Sequence, residues 1–168
     1  MSHYITTHDS TGQSVVADKV PIVPHGHPIP GGRLEILYSS HDFPPSLETE
    51  TDIDQYAHDR THGMENGICP SKGTAAAIVH IEPNAISAMH RTMSLDVMVI
   101  IEGVLEAHLE GGEVRTMRPG DSMVQRGTMH QWKNVTPNDG WAKAAGFSTA
   151  IQLPLVIAGK TLETEFRM

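Results

Sequence analysis

Two stretches of this 168-residue chain gather side chains suited to moving protons. In Met89-His90-Arg91-Thr92-Met93-Ser94-Leu95-Asp96, a strand running through His90 would put Thr92 and Ser94 on the face of that histidine, because side chains alternate with period two. From Gly120 to Asn134, a turn, a strand and a glycine bend at Gly127 lead to His130, placed to face His90 from across the sheet. An imidazole with a pKa near 6.5 both takes and gives protons at cellular pH. Two of them across a pocket could shift a proton between carbons, or promote loss of water or carboxylate. On this reading His130 is the general base and His90 its partner, and Asp96 orients a histidine or raises its basicity. Thr92 and Ser94 would hydrogen-bond a substrate carbonyl or hydroxyl.

Other residues could join such a pocket or stay outside it. Arg126 is placed to clamp a carboxylate with two parallel hydrogen bonds, although a turn arginine is also a common solvated residue. Trp132 and Trp141 read as core or pocket-wall aromatics, and Met89, Met93, Met98, Met123 and Met129 as a soft apolar lining. Of these, Met98 and Trp132 join Thr92, Ser94 and Arg126 as substrate-binding candidates. His80 and His108 lie on expected strands as outward or structural histidines, His80 facing the pocket only if its register is odd. His25 and His27 sit among alternating prolines and glycines, which argues for a solvated loop. Cys69 is the single cysteine, without a partner for a disulfide or a zinc pair, and only Lys72 nearby to lower its pKa.

The elements that must hold these residues are short strands. Arg33–Ser40 reads as a strand, and from Thr74 onward apolar runs alternate with turns such as Pro83-Asn84, Glu102-Gly103 and Arg118-Pro119-Gly120-Asp121. Val104–Glu110 and Glu113–Met117 flank Gly111-Gly112, which suits a tight two-residue hairpin. Ser122–Gln125, Gln131–Val135 and Trp141–Leu153 complete a regular series, the signature of a sandwich or barrel. Residues 1–20 are polar and unpatterned, an arm that could swap onto a partner, and 21–32 is rich in proline and glycine. The polar stretch 41–71 carries an acidic run from Glu48 to Asp54; it reads as a solvated face or a lid, with at most a short helical turn within 48–60. The tail from Pro154 reads as an edge strand or packing segment.

Composition narrows the partners. A net charge of −8 disfavours phosphate backbones and anionic membranes, so no nucleic acid and no membrane partner is expected. The longest apolar runs, Ala75–Val79 and Val97–Ile101, are far short of the roughly 20 residues that span a bilayer. The first ten residues have neither a basic start nor an apolar stretch, which makes a cytoplasmic location the expectation.

The two histidine segments resemble the two motifs of the cupin superfamily. The first has His-x-His, a Glu four residues later and a Gly seven after that; His90, Thr92, Asp96 and Gly103 stand in those places. The second runs from Gly through Pro-x-Gly to His and Asn; Gly120, Gln125, Gly127, His130 and Asn134 occupy it, with glutamine where proline is usual and one residue fewer after Gly120. The strings HRTMSLD, GDSMVQRGTMHQWKN and LEGGEV look like small single-domain cupins of fungi and bacteria, some of them in polyketide and related secondary-metabolite pathways. The resemblance implies an all-β chain: a small jelly-roll barrel, or double-stranded β-helix, over 33–168 with the polar insert at 41–71, preceded by an arm and lead-in over 1–32. It also implies a homodimer with its chemistry in the barrel mouth.

The departures from the motif bear on the chemistry. Metal-binding cupins supply three His and one Glu, whereas this chain has threonine at one place and the shorter aspartate at another. Redox-neutral proton transfer without a cofactor, as in a lyase or isomerase acting on an oxygenated polyketide-like substrate, needs neither missing group. The first alternative is a metal-dependent oxidoreductase or dioxygenase with His90, Asp96 and His130 holding iron, zinc, nickel or manganese. The second is a non-catalytic small-molecule-binding cupin in which the histidines are satisfied core residues.

Overall fold

The computed structural model describes residues 2–64 and 67–167. In chain order the elements are β1 (Thr6–His8), β2 (Ser14–Val16), β3 (Gly26–Ile29), β4 (Gly32–Ser40), α1 (Thr51–His62), β5 (Thr74–Ile81), β6 (Met89–Arg91), β7 (Ser94–Glu102), β8 (Leu105–Leu109), β9 (Val114–Met117), β10 (Ser122–Arg126), β11 (His130–Asn134), β12 (Ala142–Ala150), β13 (Leu155–Ile157), β14 (Lys160–Leu162) and β15 (Glu165–Arg167). Two antiparallel sheets carry the molecule, one ordered β10-β7-β12-β5-β4-β3 and the other β15-β6-β11-β8-β9. Small hairpins β1-β2 and β13-β14 flank them. This is a jelly-roll arrangement, as the alternation of short strands and turns leads one to expect. Among the described residues no helix is long and apolar enough to cross a membrane.

The inward face follows from the period of two. On β11, His130, Trp132 and Asn134 are buried while Gln131 and Lys133 between them are less so. On β7, Ser94, Asp96 and Ile100 are buried, and on β12, Ala142, Ala144 and Ser148 are. Ile100, Leu105, Ala107, Met117, Trp132, Ala142 and Ala144 form the main apolar cluster between the sheets. Its small alanines let the sheets approach and leave space further along for a cavity.

The structure departs from the sequence expectation in four places. Segment 41–71 contains the full helix α1, not a short turn, and that helix packs on β4 with Ile53 and Tyr56 buried against Ile36, Ala17 and Val20. The stretch read as an unpatterned arm forms the hairpin β1-β2, and Lys19 beyond it contacts Glu50 at 3.1 Å and Asp54 at 2.9 Å. His27, expected in a solvated loop, is on β3 at the sheet edge, its Nε2 donating to the Arg60 carbonyl at 2.8 Å. The β8–β9 connection is three residues long: Leu109 N–H donates to the Glu113 carbonyl at 2.9 Å, and Gly112 sits at φ 89°. Glycine tolerates that left-handed conformation, which closes a three-residue hairpin loop.

One end of the barrel is knotted by Asn134, which is 1% exposed. Its Nδ2 donates to the carbonyls of Ile81, Glu82 and Gly140 at 3.2, 2.9 and 2.9 Å. Its Oδ1 accepts from Thr136 N–H at 2.9 Å and from Thr136 Oγ1 at 2.6 Å. Thr136 Oγ1 in turn accepts from Val104 N–H at 2.9 Å. Gly103, at φ 78°, lies so near that a Cβ there would stand 2.6 Å from Thr136 Oγ1 and 2.8 Å from Ala142 Cα. Asn134 and Gly103, one from each motif, thus meet through Thr136 and serve architecture. Asn134→Ala should lower the unfolding free energy by about 3 kcal/mol in urea titrations, because buried carbonyls lose their donor. Asn134→Asp should cost more, since a carboxylate would face those same carbonyls.

Candidate functional site

The site begins where β6 pairs with β11. The register puts His90 directly opposite His130, and the ring centroids are 4.2 Å apart. Each ring is oriented by the backbone two residues before it: His90 Nδ1 bonds to the Ala88 carbonyl at 2.8 Å and His130 Nδ1 to the Thr128 carbonyl at 2.9 Å. A carbonyl only accepts, so Nδ1 carries the hydrogen on both rings, and the neutral imidazole has its lone pair on Nε2. His130 is 4% exposed, and burial pulls its pKa down to about 4, helped by His90 and opposed by the Thr128 hydrogen bond and the Asp96 charge.

Asp96 reaches the site from the facing sheet. The register aligns Gln125 on β10, Asp96 on β7 and Ser148 on β12 in one row across three strands. All three are buried and line the same cavity as His90, His130, Trp132 and Met98. The cavity holds about 200 Å³, and the rest of its wall is largely apolar, including Leu34, Ala75, Ala77, Val79 and Leu105. Three buried polar atoms there lack a hydrogen-bond partner among the described residues: Asp96 Oδ1, Gln125 Nε2 and Trp132 Nε1.

Several candidates fall in other places than the sequence suggested. The strand through His90 ends at Arg91, so Thr92 and Ser94 do not continue its face. They instead form a relay behind the carboxylate, Ser94 Oγ donating to Thr92 Oγ1 at 3.0 Å and Thr92 Oγ1 to Asp96 Oδ2 at 3.0 Å. Neither lines the cavity that holds His90, His130 and Asp96, and both bond toward the carboxylate from behind it. Arg126 is exposed and borders an outer groove with Arg91 and Glu110, because it follows Gln125 by one residue and points to the opposite face of β10. Of the five methionines only Met98 lines the cavity, and Trp141 is 54% exposed. His80 and His108 are structural, paired with Glu35 at 3.3 Å and Glu106 at 3.0 Å. Burial pushes the Cys69 thiol up to about 11, with Asp96 adding to the shift, so it is no nucleophile at neutral pH.

Ser148 and the β3–β4 turn Pro30-Gly31 also line the cavity and were missed. Among the described residues of the 41–71 segment, Ile68 reaches it. The signal for Ser148 was present in the alternation of β12, where it follows Gly146 by two residues. Phe166 on β15 was missed as well; it stands opposite His90, with parallel rings 5.7 Å apart.

A metal is the group that the fold implies most readily. Among the described residues no three His, Cys, Asp or Glu side chains converge as a metal site. The donor set explains this. Thr92 occupies the place of a third histidine and bonds to Asp96 outside the cavity, while Asp96 sits on the sheet opposite the histidine pair. Two imidazoles remain, too few for a three-ligand site in this arrangement.

No protein-family model matches the chain. Phomopsin biosynthesis cluster protein C′ of Diaporthe leptostromiformis is 33% identical over 162 residues, covering 96% of this chain and 84% of its own length. The cupin-domain-containing oxidoreductase virC of Hypocrea virens is 35% identical over 138 residues, 80% of this chain and 68% of that protein. Among solved structures, KdgF from Halomonas sp. superposes with a TM-score of 0.50 at 18% identity, over 76% of this chain and 88% of that one, a likeness of fold alone. Together with the histidine pair in the barrel, these relatives show that the chain belongs to the cupin-domain family of biosynthesis-cluster enzymes.

Proposed function

We propose that this enzyme catalyses redox-neutral proton transfer on an oxygenated, largely apolar small molecule held between the two sheets. The observation that carries the reading is the His90–His130 pair, 4.2 Å apart, each ring held by a backbone carbonyl with its Nε2 lone pair free. His130 is neutral throughout the physiological range and ready to accept a proton. In the simplest case His130 Nε2 takes a proton from a carbon next to a carbonyl. The C–H electron pair then moves onto the carbonyl oxygen as an enolate, and the proton returns to a different carbon or leaves with a hydroxyl as water. The product is an isomer in the first case and an unsaturated carbonyl compound in the second; cyclisation would use the same enolate, whereas decarboxylation would form its enolate from the C–C bond that breaks as CO₂ leaves, with an imidazolium returning a proton to carbon. Asp96, supported by Thr92 and Ser94, stabilises the imidazolium formed on the way.

A second reading is favoured by the oxidoreductase name of the Hypocrea virens relative. In it His90, His130 and Asp96 would hold a divalent metal, Asp96 through Oδ1, the oxygen that Thr92 does not bond.

The two readings part on one experiment. Untagged protein, before and after chelation, is assayed by NMR for exchange of α-protons into deuterated water with a panel of hydroxylated ketones. Exchange should survive chelation and fall by about 10²-fold or more in His130→Ala, the usual contribution of a general base. Near one equivalent of metal that disappears in both His90→Ala and His130→Ala, with exchange lost on chelation, would overturn the proton-transfer reading in favour of the metal.

The protonation of His130 is separately measurable. Histidine NMR should place its titration midpoint near 4, lower still in Asp96→Asn and higher in His90→Phe. Because the folded value lies below the unfolded one, the unfolded chain binds this proton first as pH falls. Stability should therefore decline between about pH 6.5 and 4 by roughly 3 kcal/mol from this group. A midpoint near 6.5 would mean that the ring is solvated and the cavity open.

A further inference from the structure

We infer that the cavity selects neutral molecules that carry both a carbonyl and a hydroxyl, and rejects carboxylates, with Gln125 binding a substrate oxygen and Asp96 accepting from the hydroxyl. This narrows the substrate class of the proton-transfer reading and rests on it.

The charge inventory is the first argument. Among the described residues that line the cavity, Asp96 is the one carboxylate, and no Lys or Arg is present. Arg126, the cation that could have clamped a carboxylate, borders the outer groove instead. His130 is held neutral by its surroundings. A substrate carboxylate would thus enter an apolar space beside a fixed anion, where like charges repel far more strongly than in water.

The unpartnered polar atoms are the second argument. Gln125, Asp96 and Trp132 are 3%, 4% and 6% exposed, and each presents an atom without a hydrogen-bond partner among the described residues. Buried polar groups are normally satisfied, so several orphans around one cavity mark where a ligand bonds. The orphans on Gln125 and Trp132 are N–H donors suited to carbonyl oxygen, and that on Asp96 is an acceptor suited to a hydroxyl. Gln125 and Asp96 stand side by side in the strand register, so adjacent oxygens of one molecule can engage both. The apolar alanine and valine wall takes the remainder of the molecule.

The test uses two probes of nearly equal shape, β-hydroxyoctanoate and its methyl-ketone isostere, in which CH₃ replaces O⁻. Calorimetric titration at pH 7 should show the ketone binding at least about tenfold more tightly to the wild-type chain. Asp96→Asn should remove most of that preference, and Gln125→Met should weaken the ketone by about five- to tenfold. Gln125→Glu, which adds a second carboxylate, should widen the preference and keeps the test alive if Asp96→Asn fails to fold. Equal or tighter binding of the acid, a preference unmoved by these substitutions, or no binding of either probe at millimolar concentration would overturn the inference. Exchange of the ketone's α-protons in the same samples separates the two levels. Preference without exchange removes the catalytic reading and leaves the site; exchange without preference removes the substrate class and leaves the catalysis.

Discussion

Between Arg91 and Ser94 the chain leaves the five-stranded sheet and enters the six-stranded one, and the chemistry of the cavity depends on that crossing. A continuous strand would have put His90, Thr92 and Ser94 on one face. The crossing instead gives His90 to the sheet that carries His130 and sends Asp96 to the opposite wall. Thr92 and Ser94, left at the corner, turn toward the carboxylate and fix it from behind. The imidazole pair and the carboxylate thereby approach a substrate from two sides, which is what proton transfer across a bound molecule requires.

The same crossing is paid for in polar burial. Asp96 Oδ1, Gln125 Nε2 and Trp132 Nε1 are buried without partners among the described residues, and each such group costs about 1–3 kcal/mol in an otherwise apolar interior. An architecture concerned only with stability would place aliphatic side chains in this row, as β5 does with Ala75 and Ala77 close by. The cost is offset by the fully bonded Asn134–Thr136 network and by the apolar cluster between the sheets, whose Leu105, Trp132 and Ala144 also line the cavity. The motif positions divide by role: Gly103 and Asn134 belong to the bonded network that holds the strands, and the histidines and Asp96 to the cavity.

How much of this was legible depends on whether a feature is local or cross-strand. The strands from β4 to β12 could be read because their alternation and their Gly and Pro breaks are local signals. The pair His90 and His130 was visible through motif spacing. Helix α1 was not, because its sequence TDIDQYAHDRTH offers only Ile53 and Tyr56 as large apolar anchors, and its packing on β4 and the arm supplies what propensity lacks. Gln125 could be seen only as a departure from a motif. Its meaning lies in the register that sets it beside Asp96 and Ser148, residues 29 and 23 positions away in sequence. Arg126 looked like a clamp for the opposite reason: chemistry was read from its type, while the period of the strand sends it outward.

The tail shows how firmly the reactive pair is held. Strand β15 pairs with β6, and Phe166 stacks on His90 from the side away from His130, yet Phe166 is 67% exposed. The ties of the tail run through Arg91 to Glu165 at 3.3 Å and Arg167 to Glu110 at 2.5 Å, partly exposed ion pairs of a kind that contributes little. His90 does not need the tail for its orientation. The Ala88 carbonyl holds its Nδ1, and the β6–β11 register fixes its distance from His130. What Phe166 adds is cover on one face: its ring lies parallel to the more exposed of the two imidazoles, on the side away from His130, and removes part of that face from water.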